Sequence, residues 1–156
     1  MNLLFAIDDT FVEQLKTTLY SIWLHTSASR LDAFVLQEKE LAQTEELNQF
    51  CHGLGIVYHP VIIGTGSIFK QAPVSDRYPE SIYYRLLAQN YLPKDLDKVL
   101  YLDADILCIN DLQPLYELPL EDHLYAAASH SKLTEVTTVI NKVRLKNYES
   151  EGYFNS

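Results

Sequence analysis

A regular alternation of short apolar runs with longer amphipathic stretches most constrains what this chain can fold into. Continuous apolar runs occupy residues 3–7 and 32–36, and a β-branched run occupies residues 56–63. Short runs without polar alternation are typical of strands buried on both faces of a parallel sheet. Between them, residues 11–26 and 41–54 place apolar side chains three and four positions apart, which predicts helices packed on that sheet. The order is β-α-β-α-β, an α/β class.

Capping and turn residues set the limits of these elements. Asp9 or Thr10 can cap the first helix, and Gly53 and Gly55 end the second. Pro60 lacks a backbone N–H, so it indicates either an edge position for the third strand or a break in it.

The rest of the chain continues the same pattern after a long connection over residues 64–79, which is rich in Gly and Pro. Residues 81–91 are predicted as a helix capped by its first residue, and residues 98–102 as another buried strand. Residues 111–118 can form one or two helical turns, and residues 123–129 are predicted as a strand.

Composition excludes several classes of protein. With 156 residues, 47% of them hydrophobic and 21% charged, the chain fits one soluble globular domain and excludes disorder. The net charge of −9 argues against nucleic acid or an anionic membrane surface as the main partner. No apolar stretch approaches the roughly 18 residues of a membrane span, and the first residues lack the basic start of a signal peptide.

The cysteines indicate the compartment. Cys51 and Cys108 stand in no metal-ligand or disulfide pattern, which fits a reducing environment. We therefore expect a cytoplasmic location, including a peripheral one at the inner face of the membrane.

Two acidic pairs follow predicted strands directly. Asp8 and Asp9 follow the first strand, and Asp103 and Asp105 follow the strand at residues 98–102. In open α/β sheets, ligands bind beyond the carboxyl ends of the strands, so these residues are the first candidates for chemistry.

Carboxylates two positions apart on an extended chain point to the same side, and a turn can bring both onto one hard cation. Oxygen ligands favour Mg²⁺ or Mn²⁺ over zinc, and such a cation would let an acidic protein hold a diphosphate. The alternative is a solvated turn at a strand end. Apolar runs on both sides of Asp103 and Asp105 argue for a metal or an arginine partner, because a buried unpaired charge is costly. Arg85 is the basic candidate, with a surface arginine as its alternative.

Four segments together resemble glycosyltransferase family 8. They are FAIDD at residues 5–9, SIYYRL at 81–86, KVLYLDADIL at 98–107 and GYFNS at 152–156, in the order and spacing of the family. The family includes bacterial lipopolysaccharide galactosyl- and glucosyltransferases and the glycogenins. The resemblance implies the GT-A nucleotide-diphospho-sugar transferase fold, a Rossmann-like, mostly parallel sheet with flanking helices.

The resemblance also implies a donor site. Asp103 and Asp105 would bind Mn²⁺, or Mg²⁺, which bridges the diphosphate of a UDP-sugar. Other residues would contact the nucleoside: Ala6 and Asp8 the uracil, and Thr10 and the main chain of Ala104 the ribose.

Three further residues concern the sugars. The resemblance implies that Arg85 contacts the donor sugar while holding Asp103, and that Asn155 contacts the sugars during catalysis. His130 stands where the lipopolysaccharide enzymes tend to have an aspartate facing the sugars, and alone it also fits a surface residue.

The resemblance predicts a retaining glycosyltransferase that moves glucose or galactose from UDP to a glycan or lipid-linked saccharide. Residues 1–156 correspond to the N-terminal nucleotide-sugar-binding part of the catalytic domain, truncated at the C-terminus. We therefore expect an incomplete form with weak activity or none.

Two alternatives remain open at this point. One is a non-catalytic chain, either a nucleotide-binding remnant or a fragment that self-associates into a homo-oligomer and so covers its unfinished sheet. The other is a sugar-nucleotide nucleotidyltransferase, against which the acidic sequence at residues 8–11 stands where such enzymes have a glycine-rich basic loop.

Overall fold

The computed structural model describes residues 1–64 and 80–128. The chain divides into two units, Met1–Glu117 and Leu118–Ser156. The first unit contains strands and helices in the order β1 (Asn2–Ala6), α1 (Val12–His25), β2 (Leu31–Gln37), α2 (Thr44–Gly53), β3 (Ile56–Ile62), α3 (Ala88–Tyr91), β4 (Leu100–Tyr101) and α4 (Gln113–Tyr116). Two 3-10 helices, Asp9–Phe11 and Glu80–Leu87, precede α1 and α3. Within the described ranges, no helix has the length and apolar character needed to cross a membrane.

The four described strands form one parallel sheet with the order β3-β2-β1-β4. Leu4 of β1 lies between Phe34 of β2 and Tyr101 of β4, which fixes the register of the central strands. Pro60 of β3 pairs with Val35 of β2, and β3 is an edge strand of this four-stranded sheet. The predicted edge position is therefore confirmed. The predicted parallel α/β architecture is confirmed as well.

Both faces of the sheet are covered, which explains the unbroken apolar runs. On one face, Leu3 and Phe5 of β1 belong to a buried cluster with Leu15 and Leu19 of α1 and Leu47 of α2. All five side chains are fully buried. The apolar stripes of the two amphipathic helices therefore face the sheet, as their spacing predicts.

The opposite face has a second, smaller core. Leu4, Phe34 and Leu36 of the sheet cluster there with Tyr84 of the 3-10 helix and Ala88 of α3. Neighbouring residues of one strand thus point into different cores, the period of two that a strand requires. The helical segment that carries Arg85 is held against the sheet by these contacts.

The start of α1 differs from the prediction. Asp8, rather than Asp9 or Thr10, is the capping residue, and its Oδ1 accepts the N–H of Thr10 at 2.9 Å. It caps the 3-10 helix Asp9–Phe11, and α1 begins only at Val12. The cap lies earlier in the sequence than predicted because β1 already ends at Ala6 and the chain turns directly after it.

Three other elements differ in type or extent. The helix predicted at 81–91 is a 3-10 helix up to Leu87, and the strand predicted at 98–102 is limited to Leu100–Tyr101. Residues 123–128 are exposed and form no strand, because the described residues of that unit provide no neighbouring strand for pairing. Residue 129 and the connection 65–79 lie outside the described residues.

The turn between α2 and β3 needs glycine at one of its two glycine positions. Gly55 has φ +70°, whereas Gly53 ends α2 and does not have a positive φ. A Cβ would meet nothing within 4 Å at either position, so only the backbone conformation distinguishes them.

Gly55→Ala should lower the free energy of unfolding by about 1 kcal/mol, because alanine is strained at a positive φ. Gly53→Ala is the matched control and should be neutral or stabilising in urea unfolding; an equal loss in both variants would contradict this account.

Asp32, at the start of β2, generates a second prediction. Its two carboxylate oxygens accept from the guanidinium of Arg30 at 2.7 and 2.8 Å, and His59 Nε2 lies 2.9 Å from Oδ1. The Arg30 guanidinium holds the pKa of Asp32 below its ordinary 3.8, against the opposing effect of burial. A depressed pKa stabilises the fold at neutral pH and loses that effect as pH falls below about 4.

The free energy of unfolding of Asp32→Asn should therefore lie below that of the wild type by about 1 kcal/mol or less near neutral pH, since Arg30 is largely exposed. The gap should narrow at acid pH, where the wild-type carboxylate protonates. Urea unfolding followed by circular dichroism at both pH values measures it, and a gap independent of pH would refute the ion pair as its source.

Candidate functional site

The carboxyl ends of β1 and β4 lie side by side. Leu4 pairs with Tyr101, and the N–H of Leu102 donates to the carbonyl of Leu4 at 3.0 Å as the pairing ends. The residues that follow the two parallel strands therefore emerge at the same edge of the sheet. Asp8 comes from β1 and Asp103 from β4, so the sheet brings the two acidic segments of the sequence to one edge.

In the segment after β4, the alanine is buried and the two aspartates are exposed. Ala104 is only 7% exposed and belongs to the larger core, whereas Asp103 and Asp105 are exposed. Both carboxylates can therefore be reached from solvent. The expectation that burial would force a partner onto these charges is wrong, because the apolar run after them is itself exposed at Leu107 and Ile109.

Two buried hydroxyls of α1 support this segment from the core side. Thr18 Oγ1 lies 2.7 Å from the carbonyl oxygen of Ala104 and 2.8 Å from that of Ile106. Ser21 Oγ accepts the N–H of Cys108 at 2.9 Å. Sequence reasoning missed both residues, although two hydroxyl residues three positions apart, on the side of α1 next to its apolar stripe, were a signal.

The two aspartates after β1 accept hydrogen bonds from different parts of the chain. Asp8 Oδ1 accepts both the N–H of Thr10, at 2.9 Å, and its hydroxyl, at 2.5 Å. Asp9 Oδ1 accepts the N–H of Ala42 at 2.7 Å and so attaches the loop after β2 to this edge. Asp8 and Thr10 are therefore already oriented toward each other, with Ala6 at the end of the strand just before them.

Arg85 reaches Asp103 through an intervening ring. Its guanidinium carbon lies 5.3 Å from the ring centroid of Tyr101, a cation–π distance, and the Tyr101 hydroxyl donates to Asp103 Oδ1 at 3.3 Å. In the described structure Arg85 and Asp103 form no direct ion pair. Burial, and then the Asp103 carboxylate, raise the pKa of Tyr101, so its hydroxyl stays a proton donor. Sequence reasoning missed Tyr101, although a residue two before Asp103 shares its side of an extended chain.

The residues at this edge fit part of a cation site. No group of three or more His, Cys, Asp and Glu within residues 1–64 and 80–128 is arranged to hold a metal ion. Asp103 and Asp105 supply two carboxylates, the protein share typical of sites where phosphate oxygens and water complete the shell. Asn155 and His130 lie outside the described residues, so their predicted roles stay predictions.

Comparison with known proteins agrees with this arrangement. The family model described as Glycosyl transferase family 8 matches residues 2–156. A lipopolysaccharide 1,2-glucosyltransferase of Escherichia coli is 42% identical over 93 residues, which are 56% of this chain and 25% of that protein. Another protein of that description, from Escherichia coli strain K12, is 27% identical to this chain. The matched region includes 100% of this chain and 46% of that protein.

Solved structures agree with the sequence comparison. A crystal structure of galactosyltransferase LgtC in complex with donor and acceptor sugar analogs has a TM-score of 0.83 and 25% identity, covering 100% of this chain and 55% of that chain. The chain thus spans about half the length of these relatives, or less. Its parallel sheet with flanking helices is that of the GT-A fold. Since the family model covers nearly every residue, the protein belongs to glycosyl transferase family 8.

Proposed function

We propose that this protein acts in retaining hexosyl transfer from a UDP-sugar, with Mn²⁺ or Mg²⁺ held by Asp103 and Asp105. The observation that carries the proposal is the exposed pair of carboxylates at the carboxyl edge of the sheet, beside the turn capped by Asp8. Membership of the glycosyltransferase family supports the reaction class. Residues 1–156 form the nucleotide-sugar-binding part of the catalytic domain in this proposal.

The charge of the chain supports a requirement for a cation. With a net charge of −9 and two exposed carboxylates at the edge, the protein alone would repel a diphosphate. A divalent cation held by Asp103 and Asp105 would supply positive charge to the diphosphate leaving group. Asp103 and Asp105 hold that charge in place, and Ala6, Asp8, Thr10 and the main chain of Ala104 orient the nucleoside.

Arg85 is proposed to contact the donor sugar. Arg85 is half-buried and its guanidinium lies over the Tyr101 ring, so the direction of the guanidinium is restricted before any ligand arrives. Donors of a planar, restricted guanidinium suit the hydroxyls of a sugar that must be oriented for attack. Asn155 is proposed to act on the sugars from the segment near the end of the chain.

Glucose and galactose are the proposed sugars, and a glycan or lipid-linked saccharide is the proposed acceptor. The relatives described as lipopolysaccharide glucosyltransferases and the galactosyltransferase LgtC support this choice. The nucleotidyltransferase alternative finds no support, because a 3-10 helix capped by Asp8 follows β1 in place of a glycine-rich basic loop.

A cytoplasmic location, including one at the inner face of the membrane, is also proposed. Cys51 and Cys108 are both buried free thiols, as in proteins of reducing compartments. Burial raises the pKa of the Cys51 thiol to about 11, so this thiol is unreactive at neutral pH.

The central test is binding of UDP in the presence of Mn²⁺, measured by calorimetry. Asp103→Asn and Asp105→Asn should each weaken binding at least about tenfold, because each removes one anionic ligand. Asp95 and Asp97 provide the matched control: they have the same spacing and exposure but precede β4. Asp97→Asn should bind as the wild type does. Equal affinity in all of these proteins would refute the cation site.

A second test separates the sugar from the nucleotide. If Arg85 contacts the donor sugar, Arg85→Gln should weaken binding of UDP-glucose or UDP-galactose about tenfold by loss of charged hydrogen bonds. Binding of UDP should change much less, so UDP serves as the internal control. A parallel loss for UDP and for the UDP-sugars would place Arg85 at the diphosphate instead.

A further inference from the structure

The hydroxyl of Thr18 bonds another segment of the chain rather than its own helix. Thr18 is 1% exposed, and its Oγ1 lies within 2.8 Å of two carbonyl oxygens, those of Ala104 and Ile106. These carbonyls stand on either side of Asp105 in the chain. One hydroxyl carries one proton, so the two carbonyls share it in a three-centre arrangement.

The neighbouring residue shows what a helical threonine usually does. Thr17 is exposed, and its hydroxyl donates to the carbonyl of Glu13 one turn earlier, at 3.0 Å. Thr18 instead bonds a segment 86 and 88 residues away in the chain. Its hydroxyl therefore serves the segment after β4 rather than the helix.

That segment has little other backbone support. β4 ends at Tyr101, and the N–H of Leu102 makes the last bond to β1. Ala104 and Asp105 form a turn, and within the described structure the hydrogen bonds that connect this segment to α1 are the two to Thr18 and the bond from Cys108 to Ser21. The hydroxyl of Ser21 in turn donates to the carbonyl of Thr18 at 2.7 Å.

We propose that Thr18 is a positioning residue for the cation and diphosphate site, assisted by Ser21. By holding the carbonyls of Ala104 and Ile106, it fixes the main chain of Asp105 while leaving the carboxylate exposed. The spacing of the two carboxylates is thereby set before the cation and nucleotide bind, which reduces the ordering that binding requires. This inference rests on the function proposed above.

Four variants distinguish the role of the Thr18 hydroxyl from an effect on the fold. Thr18→Val removes the hydroxyl but keeps the size and branching of the side chain, and Thr18→Ser keeps the hydroxyl. Thr17→Val is the matched control, because it removes a hydroxyl from the adjacent, exposed position. Ser21→Ala removes only the assisting contact and carries the test if Thr18→Val does not fold.

The first measurement uses no ligand. Exchange of the Cys108 amide, whose N–H donates to Ser21 Oγ, is compared with that of the β2–β3 ladder in the same protein, which separates local from global opening. Thr18→Val should accelerate exchange of the Cys108 amide about tenfold relative to the ladder, because the segment loses its two bonds to Thr18 and opens locally more often. Thr18→Ser and Thr17→Val should stay near the wild-type ratio.

The second measurement is the affinity for UDP with Mn²⁺, at a temperature where every variant is folded. Thr18→Val should bind about tenfold more weakly, Ser21→Ala by a smaller factor, and Thr18→Ser and Thr17→Val like the wild type. Faster exchange with unchanged affinity would make Thr18 merely structural and overturn the inference. Unchanged exchange would overturn it as well.

The wild type distinguishes the two levels of failure. If the wild type does not bind UDP with Mn²⁺, the proposed function fails and this inference fails with it. If the wild type binds and Thr18→Val, or Ser21→Ala in its place, binds equally well, only the positioning role is refuted.

Discussion

Burial of β1 on both of its faces is the constraint on which the rest of the structure depends. Leu3 and Phe5 enter the core formed with α1 and α2, and Leu4 between them enters the opposite core. A strand in this position cannot carry a charge along its length, since a buried unpaired charge costs several kcal/mol or more. Polar chemistry is therefore confined to the points where the strands end, and Asp8 and Asp103 follow there.

Helix α1 joins this core to the candidate site. Leu15 and Leu19 pack on the sheet, whereas Thr18 and Ser21, on an adjacent side of the helix, bond the segment after β4. Two chemically different stripes on one helix thus place a distant part of the chain at the carboxyl edge. A carboxylate held through its main chain can remain in solvent, where its desolvation cost is small, and still have a defined position.

The sequence allowed prediction of what depends on local patterns. The strands, the packing faces of the helices and the edge position of Pro60 follow from periodicity and from the missing N–H of proline. The bonds of Thr18 to Ala104 and Ile106, and the contact of Tyr101 with Arg85, depend on which residues face each other across the fold, and no local pattern contains that information. The strand predicted at residues 123–129, which is absent from residues 123–128, was wrong for the same reason. β-propensity is a local property, but a strand forms only where a neighbouring strand pairs with it. The burial expected around Asp103 was wrong because an apolar neighbour in sequence need not be a neighbour in the core.

The exposure of Asp103 and Asp105 also determines how a cation and a nucleotide would bind. Two carboxylates leave most of the coordination shell of Mg²⁺ or Mn²⁺ to other oxygens, so the cation alone would be held weakly. The diphosphate alone would meet an acidic edge and be repelled. Each ligand would complete the site of the other, and by linkage each would raise the affinity of the protein for the other by the same factor. In the proposed function, such an edge would therefore bind the metal complex of a nucleotide rather than either component.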